Sequence, residues 1–300
     1  MEQIHLHPDL APFSRLIYGA WRLADDQDTS TKHVRAKIDA CLEQGITTFD
    51  HADIYGDYEC ESVFGQQLAK TPTLRQDIQI VTKCDIMLLS DKYPVRRVKY
   101  YDTSYQHIMH SVERSLKNLN TDYIDLLLIH RPDPFMDHLE TGRVLDTLVS
   151  QGKVNAVGVS NFNRSDWDLL QSGMSSKLTT NQLELNLLQR ESFTNGTLAH
   201  SQMVGAPPMA WSPLAGGALF SDSPAATRLL PLLQSIASKH DVDIGAVAIA
   251  WLLAHPAKIL PVLGTNNLER IKRISDAFKV EIDRETWFEL WTAAAGEEVA

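Results

Sequence analysis

Short apolar runs recur along the chain at 16–19, 47–50, 78–84, 123–130, 154–160, 181–185, 208–212 and 259–264. Between them lie stretches with apolar residues at helical spacing, among them 31–44, 59–70, 103–119 and 139–151, each followed by Gly or a polar turn. The run Asp125-Leu126-Leu127-Leu128-Ile129 is apolar without alternation, as expected of a parallel strand covered on both faces. Strand and helix patterns that alternate in this way predict repeated βα units. Eight such strands close a barrel more readily than they extend an open sheet. The expected fold is therefore α/β, a (β/α)8 TIM barrel in a single domain over 1–300.

Composition narrows the function. The chain has 28 basic and 38 acidic residues, a net charge of −10, and 44% apolar residues. An acidic balance argues against nucleic acid and anionic membrane as partners, since both need a basic face. A small-molecule partner is expected. The longest apolar-rich run, 244–254, is too short to span a membrane. Cys41, Cys60 and Cys84 are widely spaced, with no Cys-x-x-Cys pair, and the first residues lack a signal-peptide pattern. Reduced thiols in a cytoplasmic protein, monomeric or a small homo-oligomer, are the expectation. The basic, aromatic segment 91–101 follows the third strand on the active face of a barrel. It reads as a solvated loop or, alternatively, as a lid over substrate.

The chemistry concentrates at strand ends. Residues 48–56 read Thr-Phe-Asp-His-Ala-Asp-Ile-Tyr-Gly, placing Asp50 at the end of one strand and Tyr55 in the loop beyond it. Lys83 and His130 end the next two strands. Each alone has an ordinary structural explanation as a helix cap, a surface amine or a core histidine. Together they form a coherent proton donor, because such ends converge at one face of a barrel. A free phenol, with a pKa of ~10, is a poor acid near neutrality. An adjacent Lys83 ammonium is expected to lower that value, with Asp50 keeping the lysine charged and His130 hydrogen-bonding the oxygen that receives the proton.

Residues 45–56, with the Asp50, Tyr55, Lys83, His130 order, resemble the aldo-keto reductases, their bacterial oxidoreductase branch, over nearly the whole chain. The resemblance implies Tyr55 as general acid, Asp50 and Lys83 as its tuning pair and His130 as the group that orients a carbonyl. It implies an NADP(H)-dependent reduction of aldehydes or ketones to alcohols, with hydride from C4 of the nicotinamide and NADP(H) preferred over NAD(H). Ser160, Asn161 and Gln182 match residues that hold the nicotinamide carboxamide, and Trp211 matches a ring that stacks on the nicotinamide. Ser212, Pro213, Leu214 and Gly216 follow as a pyrophosphate approach, and Gly19, Ala20 and Trp21 as an approach to the ribose. Gly264, Thr265, Asn266 and Arg270 correspond to a 2′-phosphate clamp at a helix start, although Gly264 stands where the family often has Lys. Arg273 is expected to add charge near the adenine. Trp21, Ile54 and Met87 are the substrate-pocket candidates. The interval from Lys83 to His130 is longer than usual because of the 91–101 insert. No Gly-x-Gly-x-x-Gly follows a strand, so a Rossmann mode of holding dinucleotide is not expected.

Two other classes compete. His5-Leu6-His7 and His51-x-Asp53 raise a metal-dependent barrel hydrolase. Its weakness is that His5-x-His7 precedes the first clear strand and is followed by Pro8-Asp9, so no metal site is expected. A non-catalytic dinucleotide-binding scaffold of the same fold is the second, and it would have no need of a tuned phenol.

Overall fold

A computed structural model describes residues 1–7 and 10–299. Eight parallel strands form a closed barrel: β1 Ile17–Gly19, β2 Thr48–Asp50, β3 Gln79–Cys84, β4 Ile124–Ile129, β5 Val154–Ser160, β6 Leu178–Glu184, β7 Met209–Trp211 and β8 Leu260–Leu263. Each pairs with the next, and β8 closes on β1. All eight predicted runs are strands. β6 begins at Leu178 rather than at Asn181, because Thr179 and Thr180 place their hydroxyls on the carbonyls of Val157 and Pro207, at 3.1 and 2.7 Å. Those bonds let polar residues sit in a buried strand.

Ile17, Val81, Leu126, Leu128, Ala156, Met209, Leu260 and Val262 pack inside the barrel. Ile4, Leu6 and Phe13 join the same cluster, so the antiparallel pair Gln3–Ile4 and Phe13–Ser14 plugs the end from which the strands start. His5-x-His7 adjoins this plug, at the opposite end from Asp50, Lys83 and His130. Helices on the outside cover the strands through further apolar clusters. Among the described residues no helix is long and apolar enough to cross a membrane.

Register carries the chemistry to one rim. Gly19 lies beside Asp50, Asp50 beside Val81, Lys83 beside Leu128, Ser160 beside Gln182, and Glu184 beside Trp211. The helices Cys60–Lys70 and Tyr105–Leu119 meet at Gly65, where an added Cβ would lie 1.9 Å from the Asn118 carbonyl oxygen. Only glycine permits that approach, and it brings Ser111 and Arg114 against the loop that carries Tyr55.

Candidate active site

Lys83 is the centre of the site and is fully buried. Its Nζ donates to Asp50 Oδ2 and Oδ1 at 2.7 and 2.9 Å, to the His51 carbonyl at 2.7 Å and to Tyr55 Oη at 3.1 Å. Burial works against its charge, but Asp50 and Tyr55 outweigh that and raise its pKa. His130 follows β4 directly, its ring 5.9 Å from that of Tyr55 at 77°, and its Nδ1 is buried without a hydrogen-bond partner. Burial, then the positive charges of Lys83, Arg131 and Lys99, hold its pKa well below the ordinary value, so the imidazole is neutral near pH 7. The four residues predicted at strand ends do meet.

One expectation is corrected. Desolvation around the Tyr55 hydroxyl raises its pKa above the ordinary 10.0, with the Lys83 charge opposing and Asp50 adding to the rise. Reading the sequence counted the ammonium and not the loss of hydration, which is the larger effect here.

A hydrogen-bonded chain continues from this cluster. Gln182 Nε2 donates to Asp50 Oδ1 at 2.8 Å, and Ser160 Oγ donates to the Gln182 carbonyl at 2.9 Å. Asn161 Nδ2 donates to Ser160 Oγ at 2.7 Å, and Trp211 Nε1 donates to Asn161 Oδ1 at 2.9 Å. The half-buried Trp211 indole is thereby held in place. Beyond it, Ser212, Ala215, Gly216 and Gly217 all have positive φ, and a Cβ on either glycine would meet nothing within 4 Å. The Ala215 and Gly217 amides donate to the Ser212 and Leu214 carbonyls at 2.7 and 3.0 Å, so the turn closes on itself and leaves open space beside its two glycines.

The family's sequence profile, described as the aldo/keto reductase family, matches residues 15–293. The chain belongs to the aldo/keto reductase family. A 6-dehydroglucose reductase of Agrobacterium fabrum is 57% identical over 300 residues, covering all of both chains. Among solved structures, the thermostable aldo-keto reductase Tm1743, in complex with the inhibitor epalrestat, matches with TM-score 0.82 and 26% identity over 98% of this chain and all of that one. An aldo/keto reductase from Klebsiella pneumoniae, in complex with NADP and acetate, shares the fold, with TM-score 0.75 and 22% identity over 93% of this chain and 91% of that one.

The remaining predicted positions of this aldo/keto reductase fall around the same rim. The Ala20 amide donates to the Asp50 carbonyl at 2.8 Å, and an added Cβ on Gly19 would lie 3.7 Å from Gly264 Cα. Trp21 is 54% exposed, Ile54 half-buried and Met87 buried. Pro213 is buried and Leu214 half-buried between Ser212 and Gly216.

At the far end, the Thr265 carbonyl accepts from Tyr18 Oη at 3.1 Å. Asn266 is occupied by the Arg22 carbonyl at 2.6 Å and by buried Lys37 at 3.0 Å. The predicted helix start there is one turn, Leu268–Ile271, and its Arg270 amide is taken by the Asn267 cap at 3.0 Å. So short an element contributes little dipole, and the exposed Arg270 side chain has no acidic partner among the described residues. Arg273 is turned toward Asp276, which holds its Nε at 3.0 Å and also binds Lys279 at 2.7 Å.

Sequence reasoning missed several residues that hold the site. Asp53 Oδ2 accepts from Ser111 Oγ at 2.7 Å and from Arg114 at 2.9 Å, clamping the Tyr55 loop to the Tyr105–Leu119 helix, and burial pushes its pKa up to about 6. His51 packs edge-on against Phe64, and burial takes its pKa down to about 3. His51 and Asp53 therefore serve packing and clamping, and the described residues contain no group of three or more metal-ligand side chains. Asp85, at φ 109°, accepts the Arg131 amide at 3.0 Å and so holds the turn after His130. Burial raises its pKa well above the ordinary value.

The 91–101 insert is anchored. It rises from the short hairpin Ile86–Met87 with Tyr100–Tyr101, and Arg96 donates to Tyr58 Oη at 2.7 Å while stacking 3.7 Å from the Tyr93 ring centre. Lys92 reaches the Asp57 carbonyl at 2.6 Å, and Arg114 donates to Tyr93 Oη at 2.9 Å. The segment is tied to the residues that follow Tyr55, as a wall. The Arg–Tyr alternation in the sequence was the available signal, since guanidinium and phenol rings stack.

Proposed function

We propose that this aldo/keto reductase is an NADPH-dependent enzyme that reduces an aldehyde on a hydroxylated carbon chain, in the manner of a sugar aldehyde, to the alcohol. The Lys83 ammonium, bound at once to Asp50 and to Tyr55 Oη, is the observation that carries the reading. The Agrobacterium relative, 57% identical over the full length, supports the substrate class. The half-exposed indole of Trp211, the Ser160–Asn161 pair, the open backbone at Gly216 and Gly217 and the unpaired Arg270 fit a dinucleotide with a 2′-phosphate. Bound there, the nicotinamide supplies hydride to the carbonyl carbon.

The chain's own residues handle the oxygen. Neutral His130 has ring nitrogens available to orient the carbonyl, and Tyr55 gives its proton to the oxygen as the carbon accepts hydride. Its raised pKa keeps the phenol protonated and ready. As the proton leaves, negative charge grows on Oη, 3.1 Å from Lys83 Nζ. Lys83 then stabilises the transition state more than the ground state, which is the condition for a faster chemical step. Asp50 prevents the lysine from losing its charge in a dry site. Three buried free cysteines support a reducing compartment such as the cytoplasm.

The test is NADPH oxidation with 6-dehydroglucose and a panel of aldehydes, comparing the enzyme with Tyr55→Phe. The variant is expected to lose at least about a hundredfold in kcat while binding NADPH as before. Full turnover by Tyr55→Phe would sink the assignment of the proton donor.

A further inference from the structure

The buried cations among the described residues are paired, Arg15 with Glu2, Lys37 with Asp26, Arg75 with Asp125 and Lys83 with Asp50, and the half-buried Arg114 pairs with Asp53. Beside them stand the half-buried Arg131 and the exposed Lys99. Neither has an ion-pair partner among the described residues, in a chain with ten more acids than bases. Arg131 follows His130 directly, its backbone is pinned by Asp85 at 3.0 Å, and its half-buried guanidinium lies 5.6 Å from the Trp211 ring centre. Lys99 precedes Tyr100, which pairs with the pocket candidate Met87. Both charges reach His130, where they add to burial in keeping the imidazole neutral. Arg131 thus adjoins the group that faces the reacting oxygen, and Lys99 stands one residue from the hairpin strand that pairs with Met87.

We propose that Arg131 and Lys99 are specificity residues that recognise hydroxyl oxygens next to the reacting carbonyl, selecting polyhydroxylated aldehydes. This rests on the reductase reading above. Guanidinium and ammonium are donors only, so they are satisfied by acceptor oxygens and read nothing else. The planar fork of Arg131 suits two neighbouring oxygens, as vicinal hydroxyls present them. A full negative charge is less suited, because the Trp211 face already meets part of the guanidinium charge and the protein's net −10 repels anions at a distance. Trp21, 54% exposed, offers an apolar face for the C–H side of the same chain.

The experiment compares D-glyceraldehyde with propanal, which lacks the hydroxyls, and succinic semialdehyde with butanal, at saturating NADPH. The enzyme is expected to favour glyceraldehyde over propanal by about tenfold or more in kcat/KM, as a site built for hydroxyls does. In Arg131→Met this ratio should collapse, glyceraldehyde losing about tenfold more than propanal, and NADPH affinity measured by fluorescence should change by less than about twofold. Lys99 is exposed, so Lys99→Met gives an independent measure free of folding damage, with a smaller loss in the same direction. Equal losses on both aldehydes, an unchanged ratio in both variants, or weakened NADPH binding in proportion would overturn the proposal. So would a preference for succinic semialdehyde over glyceraldehyde that disappears in Arg131→Met, which would make the pair an anion site. Propanal turnover by the unsubstituted enzyme reads the reductase function separately; if no aldehyde is reduced at all, that reading falls and the specificity proposal with it.

Discussion

Gln182 and Asp50, 132 positions apart in the chain, meet at 2.8 Å through the Gln182 amide nitrogen and Asp50 Oδ1. The same carboxylate holds Lys83, so Gln182 takes up the acceptor capacity that the ammonium leaves. Removing it leaves a buried charged oxygen short of a partner, a loss of about 1–3 kcal/mol. Gln182→Leu is expected to lower kcat/KM for carbonyl reduction by about tenfold or more with the fold retained. Steady-state kinetics with circular dichroism checks this, and unchanged kinetics would show that Asp50 does not need the amide.

The pH profile of reduction follows from the directions in the tetrad. His130 ionises well below its ordinary 6.5, Tyr55 above 10.0 and Lys83 above 10.5. None of these three groups changes charge between those limits. The chemical step, isolated by single-turnover measurement, is expected to be flat from about pH 6.5 to pH 9. A bell centred near neutrality would mean that His130 or Tyr55 titrates there.

On the proposed reading Arg270 is the cation that meets a 2′-phosphate, since Arg273 is held by Asp276 and Lys272 by Glu269. Arg270→Ala is expected to weaken NADPH by about tenfold or more and NADH by less than about twofold. Titration of both cofactors by fluorescence decides, and equal loss would remove Arg270 from the clamp.

Glu61 gives stability a pH dependence. Its carboxyl accepts from Thr82 Oγ1 at 2.6 Å, and burial pushes its pKa from 4.5 to about 7. The folded state therefore holds this proton more tightly than the unfolded state does. The contribution is complete below pH 4.5 and is lost as pH rises through about 7. Glu61→Gln keeps an acceptor and removes the titration. Relative to that variant, the unsubstituted protein should lose Tm between pH 5 and pH 8; a constant difference would contradict the buried-acid assignment.

Gly65 sets the spacing of two helices. A methyl group there would meet the Asn118 carbonyl oxygen at 1.9 Å, and backbone cannot yield as a side chain can. Gly65→Ala is expected to cost about 3 kcal/mol and to lower Tm by about 5–10 °C. Because the displaced helix carries Ser111 and Arg114, kcat should fall too. A thermal melt matching the parent would show that the helices reseat freely.

The barrel and its tetrad were legible in the sequence for a local reason. A strand covered on both faces is mostly apolar, so a charged residue at its end marks where the chain reaches the rim. Asp50, Lys83 and His130 each stand at such a boundary, and Tyr55 follows within one loop. Composition and residue order were enough to place those four together. What depended on distance across the fold was not written there. Whether Tyr55 gains more from Lys83 than it loses in hydration, whether Arg273 is free or held by Asp276, and whether Asp53 binds a metal or clamps a helix are all decided by neighbours from other elements. The 91–101 insert shows the same division. Its basic and aromatic residues are plain in the sequence, but stacking of Arg96 on Tyr93 and its bond to Tyr58 require a chain already folded around the barrel. Hydrophobic pattern alone determines which segments are buried; electrostatic balance and hydrogen-bond partners are properties of three-dimensional proximity, and only the tertiary structure decides them.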